Sequence, residues 1–186
     1  DAEAALRRRI ALGVPEAGSE LVPDESYILE MGFERLHGVD FRKGCYIGQE
    51  LTARTFFTGL VRKRIMPISL DPNPCHHSSP VPINVDTSMN LALPDSGADV
   101  RFVMPQKSDV STSQPGRSRS AGKFLSGIHN IGLALLRLEQ VDKSNSEEAG
   151  HPQLVLEAPD GSPLYLHAYR PSWWDSETLQ KPNGSN

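Results

Sequence analysis

The sequence predicts an α+β fold, with a partial α/β body followed by a small antiparallel β-barrel that carries a long disordered insertion. Three features predict this fold: a helical pattern at the start of the chain, short segments of β texture from Gly59 onward, and a stretch rich in proline and serine over residues 71–121. The 186 residues are enough for a sizeable core, because a domain near this size buries about 70% of its unfolded surface.

The first predicted element is a helix over Ala2–Leu12. Apolar side chains recur there at the spacing of one helix face. That face consists of Ala2, Ala5, Leu6 and Ile10, and the basic run of Arg7, Arg8 and Arg9 is expected to be largely solvated. Gly13 stands where a C-terminal cap glycine would stand, and Pro15 prevents the helix from continuing.

The next part of the chain gives weaker signals. Ser19–Asp24 predicts a loop, and Tyr27–Met31 fits either a short helix or a strand. Further on, Gly38–Phe41 and Leu51–Arg54 alternate as short extended segments do. Cys45 lies between these two segments, so we expect it on a loop or tight turn rather than inside a helix.

From Gly59 onward, short strand patterns are separated by turn signals, which is typical of a small antiparallel barrel or sandwich. The strand candidates are Leu60–Ile68, Val100–Met104, Gly132–Leu138 and Leu164–Tyr169. Periodicity alone leaves Leu133–Leu138 compatible with a short helix as well.

Two polar stretches interrupt the predicted barrel. Gln106–Ser120 has almost no apolar side chain and is predicted to be a disordered loop, and Lys143–Pro152 is predicted to be a second exposed loop. The Trp173–Trp174 pair is expected to be a packing anchor that closes the barrel. The predicted division is a body over residues 1–58, a barrel over residues 59–172 with its insertion at 71–121, and a tail over residues 173–186.

Composition excludes several classes of function. The net charge of −4 gives no support for a nucleic-acid partner, because nucleic-acid-binding domains usually carry a clear basic excess. No apolar run approaches the ~18 residues that a membrane helix needs, so we expect no membrane insertion. The only two cysteines, Cys45 and Cys75, do not form a disulfide framework, and this favours a reducing compartment.

The most informative motif is Lys43–Glu50, with the sequence KGCYIGQE. Lys43 places a positive charge near the sulfur of Cys45, which favours the thiolate, the form that acts as nucleophile and metal ligand. Gly44 and Gly48 lack a Cβ, so they permit positive φ and let another backbone or a ligand approach closely. An isolated cysteine is more often a small buried hydrophobe. The prediction that Cys45 is a functional thiol therefore depends on the residues that flank it.

This run resembles the signature K-G-C-Y-x-G-Q-E of the YgfZ family. Members of that family are relatives of the glycine-cleavage T-protein, a folate-dependent aminomethyltransferase, and serve in iron–sulfur cluster maturation. Thr58–Arg64 is similar to the entry into the family's C-terminal barrel, and Ala121–Arg137 is similar to a segment of its mitochondrial branch. The resemblance implies that the α/β body is of the folate-binding type and that the family's N-terminal half is missing from this chain.

The resemblance further implies an assembly factor that promotes maturation of four-iron, four-sulfur proteins in the mitochondrial matrix, with a transit peptide in the full-length protein. A-type carrier proteins and client iron–sulfur enzymes are the implied partners, and we expect no independent catalytic turnover. The alternative is a folate-dependent, aminomethyltransferase-like one-carbon transferase. No cofactor is firmly implied; tetrahydrofolate and a transient iron–sulfur cluster are both compatible with the family.

The resemblance also assigns roles to the motif. Cys45 is the functional thiol and the candidate transient cluster ligand, and Gln49 and Glu50 organise the loop through hydrogen bonds. Arg54 is expected to pair with Glu50. The residues that support the thiol are Lys43, Gly44, Tyr46, Gly48, Gln49, Glu50 and Arg54.

Two weaker patterns also contain chemistry-bearing residues. Cys75-His76-His77 offers three soft-metal ligands in a row. Consecutive residues of an extended segment point to opposite sides, and zinc sites normally use paired ligands at wider spacings. A cysteine-protease interpretation would combine Cys45 with His37 or His167. It requires spatial contact and an orienting third group, and no local protease signature surrounds Cys45.

Overall fold

Six antiparallel strands close into a barrel in the computed structural model, which describes residues 1–74, 85–104, 119–146 and 151–174. The order around the barrel is β1-β4-β3-β2-β5-β6. The strands are β1 Lys63–Asp71, β2 Asp99–Val103, β3 Arg119–Ile128, β4 Ile131–Arg137, β5 Gln153–Glu157 and β6 Pro163–Ala168. The helices are α1 Ala2–Ala11, α2 Gln49–Phe57 and α3 Leu138–Ser144, and a short 3₁₀ helix covers Ser172–Trp174. The predicted α+β class with a small barrel is therefore confirmed.

The barrel has an inner core and an outer apolar layer. Alternate side chains of a strand face opposite sides, and in β1 Met66 and Ile68 point into the barrel whereas Ile65 packs outside it. The outer layer lies between the barrel wall, α1 and the turns that follow α1. Its buried members are Ile10, Met31, Ile65, Leu125, Ile131 and Leu133. β1 and β4 are buried on both faces, which explains why their sequences are nearly continuous apolar runs.

All four strand candidates correspond to strands, with shifted bounds. The ambiguous segment Leu133–Leu138 is strand β4 up to Arg137, and α3 begins at Leu138. Strands β3 and β5 were not predicted. In β3 the pairing register shifts between Phe124 and Ser126, and such a bulge interrupts the alternation that identifies a strand in sequence. β5 is only five residues long, which leaves little periodic signal.

Helix α1 ends as the sequence predicts. Gly13 has a φ of +70°, and the N–H groups of Gly13 and Val14 donate to the carbonyls of Ile10 and Arg9 at 2.9 and 3.2 Å. This is the Schellman arrangement, in which a left-handed residue after the helix satisfies its last carbonyls. The expectation that the whole basic run of α1 is solvated is wrong for Arg9, because its guanidinium pairs with the buried Glu20.

Three local predictions before the barrel are wrong. Tyr27–Met31 is neither helix nor strand but a series of turns, and Leu51–Arg54 lies within α2 instead of an extended segment. Contact with the barrel, and not local sequence preference, fixes the conformation of Tyr27–Met31, because the N–H of Ile65 in β1 donates to the carbonyl of Glu30. Tertiary contacts therefore override local propensity here. Gly38–Phe41 is likewise irregular backbone and turn.

Part of the predicted insertion belongs to the barrel. β2 lies within it, and Leu91 and Leu93 pack against the inner core. Of the predicted disordered loop, residues 106–118 lie outside the described residues, and Arg119 and Ser120 begin β3. Of the second predicted loop, Lys143 and Ser144 end α3, and residues 147–150 also lie outside the described residues. The domain division itself stays a prediction.

In the described ranges, no helix has the length and apolar character needed to cross a bilayer.

The tryptophan pair acts as the packing anchor that the sequence predicts. Trp174 is buried in the inner core cluster, and the guanidinium of Arg35 lies 4.8 Å from its ring centroid. Trp173 Nε1 donates to the carbonyl of Leu12 at 3.0 Å. The hydroxyl of Tyr169 donates to the carbonyl of Ala11. The residues after β6 therefore provide donors for the last carbonyls of α1, which have no partners inside the helix.

Candidate functional site

The chain that leads to the cysteine motif is fixed to the barrel by a buried ion pair. Arg64 Nη1 lies 2.6 Å from Glu34 Oε1, with the Glu34 side chain only 1% exposed. The same nitrogen donates to the carbonyl of Leu29 at 3.0 Å. A guanidinium can serve several acceptors at once because its donors form a fixed fork. Residues 29–34 are therefore held on β1, just before the motif segment leaves the barrel.

A second buried carboxylate fixes the chain that follows α1. Glu20 accepts from Arg9 Nη1 at 2.6 Å and Arg9 Nη2 at 2.9 Å, from the N–H of Glu16 at 2.7 Å, and from the hydroxyl of Ser126 in β3. Burial alone would raise the pKa of Glu20. The hydrogen bonds from Arg9, Ser126 and Glu16 outweigh burial and hold that pKa below its ordinary value. The carboxylate thus ties helix, loop and barrel together.

Three phenylalanines close the base of the motif loop. The ring of Phe41 stacks on that of Phe56 with centroids 4.1 Å apart and an interplanar angle of 11°. Phe57 meets both rings edge-on, at 5.7 Å from Phe41 and 5.1 Å from Phe56. Such pairs add stability beyond the area they bury. Phe41, two residues before the motif, and the end of α2 are therefore joined, and the motif lies in the segment between them.

The motif forms a turn that starts α2. The N–H of Tyr46 donates to the side-chain oxygen of Gln49 at 3.0 Å, and the N–H of Gln49 donates back to the carbonyl of Tyr46 at 3.2 Å. Gly48 caps the helix with a φ of +85°, a left-handed conformation that costs a residue with a Cβ roughly 1–2 kcal/mol. The Gln49 side chain thus bonds within the loop, and Gly48 adopts a positive φ.

Cys45 lies on this loop as an exposed free thiol, so its predicted location outside a helix is confirmed. Lys43 and Gly44 are exposed as well. A Cβ built at Gly44 would meet nothing within 4 Å, so neither packing nor a positive φ requires glycine there. Arg54 pairs with Glu50 at 2.5 Å, as expected. Both side chains are exposed, and such pairs contribute little stability.

Two features of the site were not predicted. The hydroxyl of Tyr46 is inaccessible to water and makes no hydrogen bond within the described part of the chain. The buried pair of Glu34 and Arg64 was missed as well. Its only signal in the sequence is a pair of acidic residues: Glu30 lies within the apolar run from Ile28 to Phe33, and Glu34 follows that run directly. A charge in such a run has to be paired when the run is buried.

The two weaker patterns gain no support. Cys75-His76-His77 lies outside the described residues. Within the described ranges, no group of three or more histidine, cysteine or acidic side chains could hold a metal ion. His37 belongs to the turns before the motif and His167 lies on β6.

Comparisons with known proteins agree with this architecture. The model of the CAF17 C-terminal beta-barrel domain matches residues 62–176. The iron-sulfur cluster assembly factor IBA57 homolog, mitochondrial, of Mycosarcoma maydis is 42% identical over 177 residues, which is 89% of this chain and 43% of that protein. The proteins of the same name from Aspergillus fumigatus and Coccidioides immitis are 46% and 43% identical over 132 and 136 residues. Each match covers 71% of this chain, but 27% and 30% of the respective relative.

The chain thus spans less than half the length of these curated relatives. All six strands lie within the residues that match the family model, and the predicted kinship with the YgfZ-type proteins is confirmed at the level of the family. The chain belongs to the CAF17 family and carries its C-terminal β-barrel domain.

Proposed function

We propose that this chain acts in iron–sulfur cluster assembly in mitochondria, as the names of its relatives state for those proteins, and that Cys45 is its functional thiol. The observation that supports this role most is the exposure of the Cys45 thiol on a loop with a fixed base. Thiolates are the usual ligands of iron–sulfur clusters. An exposed thiol can reach a cluster carried by another protein, whereas a buried one cannot.

The motif supplies one cysteine, which limits how Cys45 could bind a cluster. A four-iron, four-sulfur cluster is normally held by four thiolates, so Cys45 alone would share the cluster with ligands of a partner. The proposed partners are A-type carrier proteins, and the proposed clients are four-iron, four-sulfur enzymes. The open space around Gly44 lets the surface of such a partner come close to the sulfur.

The central test replaces Cys45 with serine in the full-length protein. Serine is close in size, but its hydroxyl is neither a thiolate nor a soft ligand for iron. We expect lower activity of aconitase and of lipoate-dependent enzymes in cells that carry only Cys45→Ser, with normal expression and circular dichroism of the variant. Cys75→Ser is the matched control and should leave those activities intact. Normal client activity with Cys45→Ser would exclude the cluster-handling role.

A second test addresses the approach of a partner. Gly44→Leu adds a bulky side chain where nothing lies within 4 Å of a Cβ, so the thermal stability of the protein should not change. If a partner approaches Cys45 over Gly44, client activity should still fall. Unchanged client activity would show that this side of the loop is not used. The one-carbon transferase and the binding of tetrahydrofolate stay predictions, and a transferase whose chemistry lies elsewhere should tolerate both substitutions.

A further inference from the structure

Three arginines and a lysine lie together at one end of the barrel, where β1 begins and β4 ends. Lys63 of β1 is directly opposite Arg137 of β4, and the N–H of Leu138 donates to the carbonyl of Arg62 at 3.0 Å. β3 begins at the same end, because it runs antiparallel to β4, and its first residue is Arg119. We call this group the basic rim; it consists of Arg62, Lys63, Arg119 and Arg137.

The arginines of the basic rim have no carboxylate partner, unlike the other cations around them. Arg62, Arg119 and Arg137 are exposed and form no ion pair with any described residue, and Lys63 makes only a contact of 4.0 Å with Glu30. Every other described lysine or arginine of residues 62–174 pairs with a carboxylate, and these are Arg64, Arg101, Lys123, Lys143 and Arg170. The unpaired positive charge of the barrel is therefore gathered at one place.

The acidic residue at the start of α3 does not neutralise the rim. The pKa of Glu139 is lowered first by its hydrogen bond with Lys143, and the positive charges of Arg119 and Arg137 lower it further. The two arginines are therefore close enough to act on one carboxylate. That carboxylate already accepts a hydrogen bond from Lys143 at 2.6 Å.

The basic rim is unfavourable for the fold taken alone. Like charges directly opposite each other on neighbouring strands destabilise a sheet, and Lys63 and Arg137 stand in this relation. The chain as a whole has a net charge of −4, so its composition does not account for a local excess of positive charge. Chains that depart from such a local rule usually do so at a functional surface.

We propose that the basic rim is a docking surface for a carboxylate-rich segment of a partner protein. A planar guanidinium group can bind a carboxylate through two parallel hydrogen bonds, and the three rim arginines are available for such bonds. Carboxylates placed there would also offset the repulsion between Lys63 and Arg137, so the charges of the two surfaces would be complementary.

An acidic protein segment fits the rim better than other anions do. Nucleic-acid-binding domains usually carry a clear basic excess, which a net charge of −4 does not provide. Binding to an anionic membrane surface normally combines cations with an apolar face that enters the lipid, whereas the rim consists of charged side chains alone. The inference goes beyond the proposed function and does not depend on Cys45.

The test measures binding of a fluorescein-labelled poly-L-glutamate peptide to the full-length protein by fluorescence anisotropy. Wild type should bind the peptide, and more weakly as salt is added. The rim variant, with Arg119→Gln and Arg137→Gln together, should bind about fivefold or more weakly, since two exposed charge pairs are lost. The matched control combines Lys123→Gln with Arg170→Gln. It removes the same charge from positions that already have carboxylate partners and should change the affinity by less than about twofold.

The melting temperature shows whether the rim serves binding or the fold. The rim variant loses no ion pair with a described residue and relieves the repulsion between Lys63 and Arg137, so its melting temperature should equal or exceed that of wild type. A lower value would overturn the proposal, because the arginines would then stabilise the fold.

Weaker peptide binding by the rim variant alone supports the proposal. Equal weakening in the control would overturn it, because binding would then follow net charge and not the rim. Absence of peptide binding by wild type at low salt would also overturn it. If duplex DNA or phosphatidylserine vesicles bound wild type more tightly than the peptide, and the rim variant lost that binding, the proposal would be overturned in favour of a nucleic acid or a membrane.

Discussion

Replacing Glu20 with glutamine should destabilise the chain by about 3 kcal/mol near neutral pH, the range expected when a buried, charge-assisted network loses its charge. The two oxygens of Glu20 accept four hydrogen bonds, two of them from the guanidinium of Arg9. Glutamine keeps one acceptor and turns an NH₂ group toward these donors. A bond to a charged group contributes about 1.5–3 kcal/mol. Arg9 would retain the carbonyl of Val14 and the carboxylate of Glu16, which limits the loss.

The loss should depend on pH in a defined direction. The pKa of Glu20 is lowered in the folded chain, because its hydrogen bonds together outweigh the opposing effect of burial. An unfolded glutamate titrates at about 4.3. The charged carboxylate therefore stabilises the fold above that pH, and its contribution is lost as the pH falls through the lower folded pKa. The free energies of unfolding of the wild-type chain and of Glu20→Gln should accordingly become more alike in acid.

Urea unfolding followed by circular dichroism at about pH 7 and about pH 3 measures both effects. Glu139→Gln is the control, because Glu139 also has a lowered pKa from its hydrogen bond with Lys143 but is fully exposed. Its replacement should leave the unfolding midpoint almost unchanged. A loss below about 1 kcal/mol for Glu20→Gln at neutral pH, which is the size of one ordinary hydrogen bond, would refute the reasoning. An equal loss at both pH values would refute the electrostatic part.

Three further substitutions test other contacts. Arg64→Met removes the 2.6 Å partner of the buried Glu34 carboxylate and leaves it only Arg35 Nε, at 3.9 Å. The free energy of unfolding should fall by about 3–5 kcal/mol; a change within experimental error in urea unfolding would contradict this. Burial raises the pKa of Tyr169 far above its ordinary value, so the spectrophotometric titration curves of wild type and Tyr169→Phe should coincide up to about pH 11. The same substitution removes the hydrogen bond to Ala11 and should lower the free energy of unfolding by about 1 kcal/mol. Gly48→Ala should cost about 1–2 kcal/mol because of its positive φ, and helical circular dichroism should fall with it.

Sequence patterns predicted those elements whose signal is local. The helix α1 and its glycine cap follow from apolar spacing and from Gly13, and β1 follows from a strand pattern between turn signals. For β4, periodicity left a helix equally possible, and the family resemblance favoured the strand that the structure shows. β3 escaped because its bulge breaks the alternation after Phe124. α2 was not predicted because apolar and polar residues alternate over Leu51–Arg54, as they do in a strand. Its half-buried positions, such as Thr52 and Phe56, nevertheless recur at helical spacing.

The site was predictable to the same extent. The exposed loop around Cys45, the capping turn at Gly48 and the pair of Glu50 and Arg54 depend on residues close in sequence. The buried pair of Glu34 and Arg64 joins positions 30 residues apart, as their numbers show, and no local pattern specifies such a partner. The exposure of Ile47 and Leu51 could not be predicted either, since exposure depends on which elements the rest of the chain places nearby.

The late contacts of α1 have a consequence for synthesis on the ribosome. The helix is made before the barrel, but the donors for its final carbonyls, Tyr169 and Trp173, lie 158 and 161 residues farther along the chain. The barrel likewise cannot close until β6 has been made, because β6 pairs with β1. At translation rates of about 5–20 residues per second, this interval lasts roughly 10–30 s. During that time the apolar face of α1 and the open edge of β1 are available to chaperones, and to neighbouring nascent chains, before the protein can shield them itself.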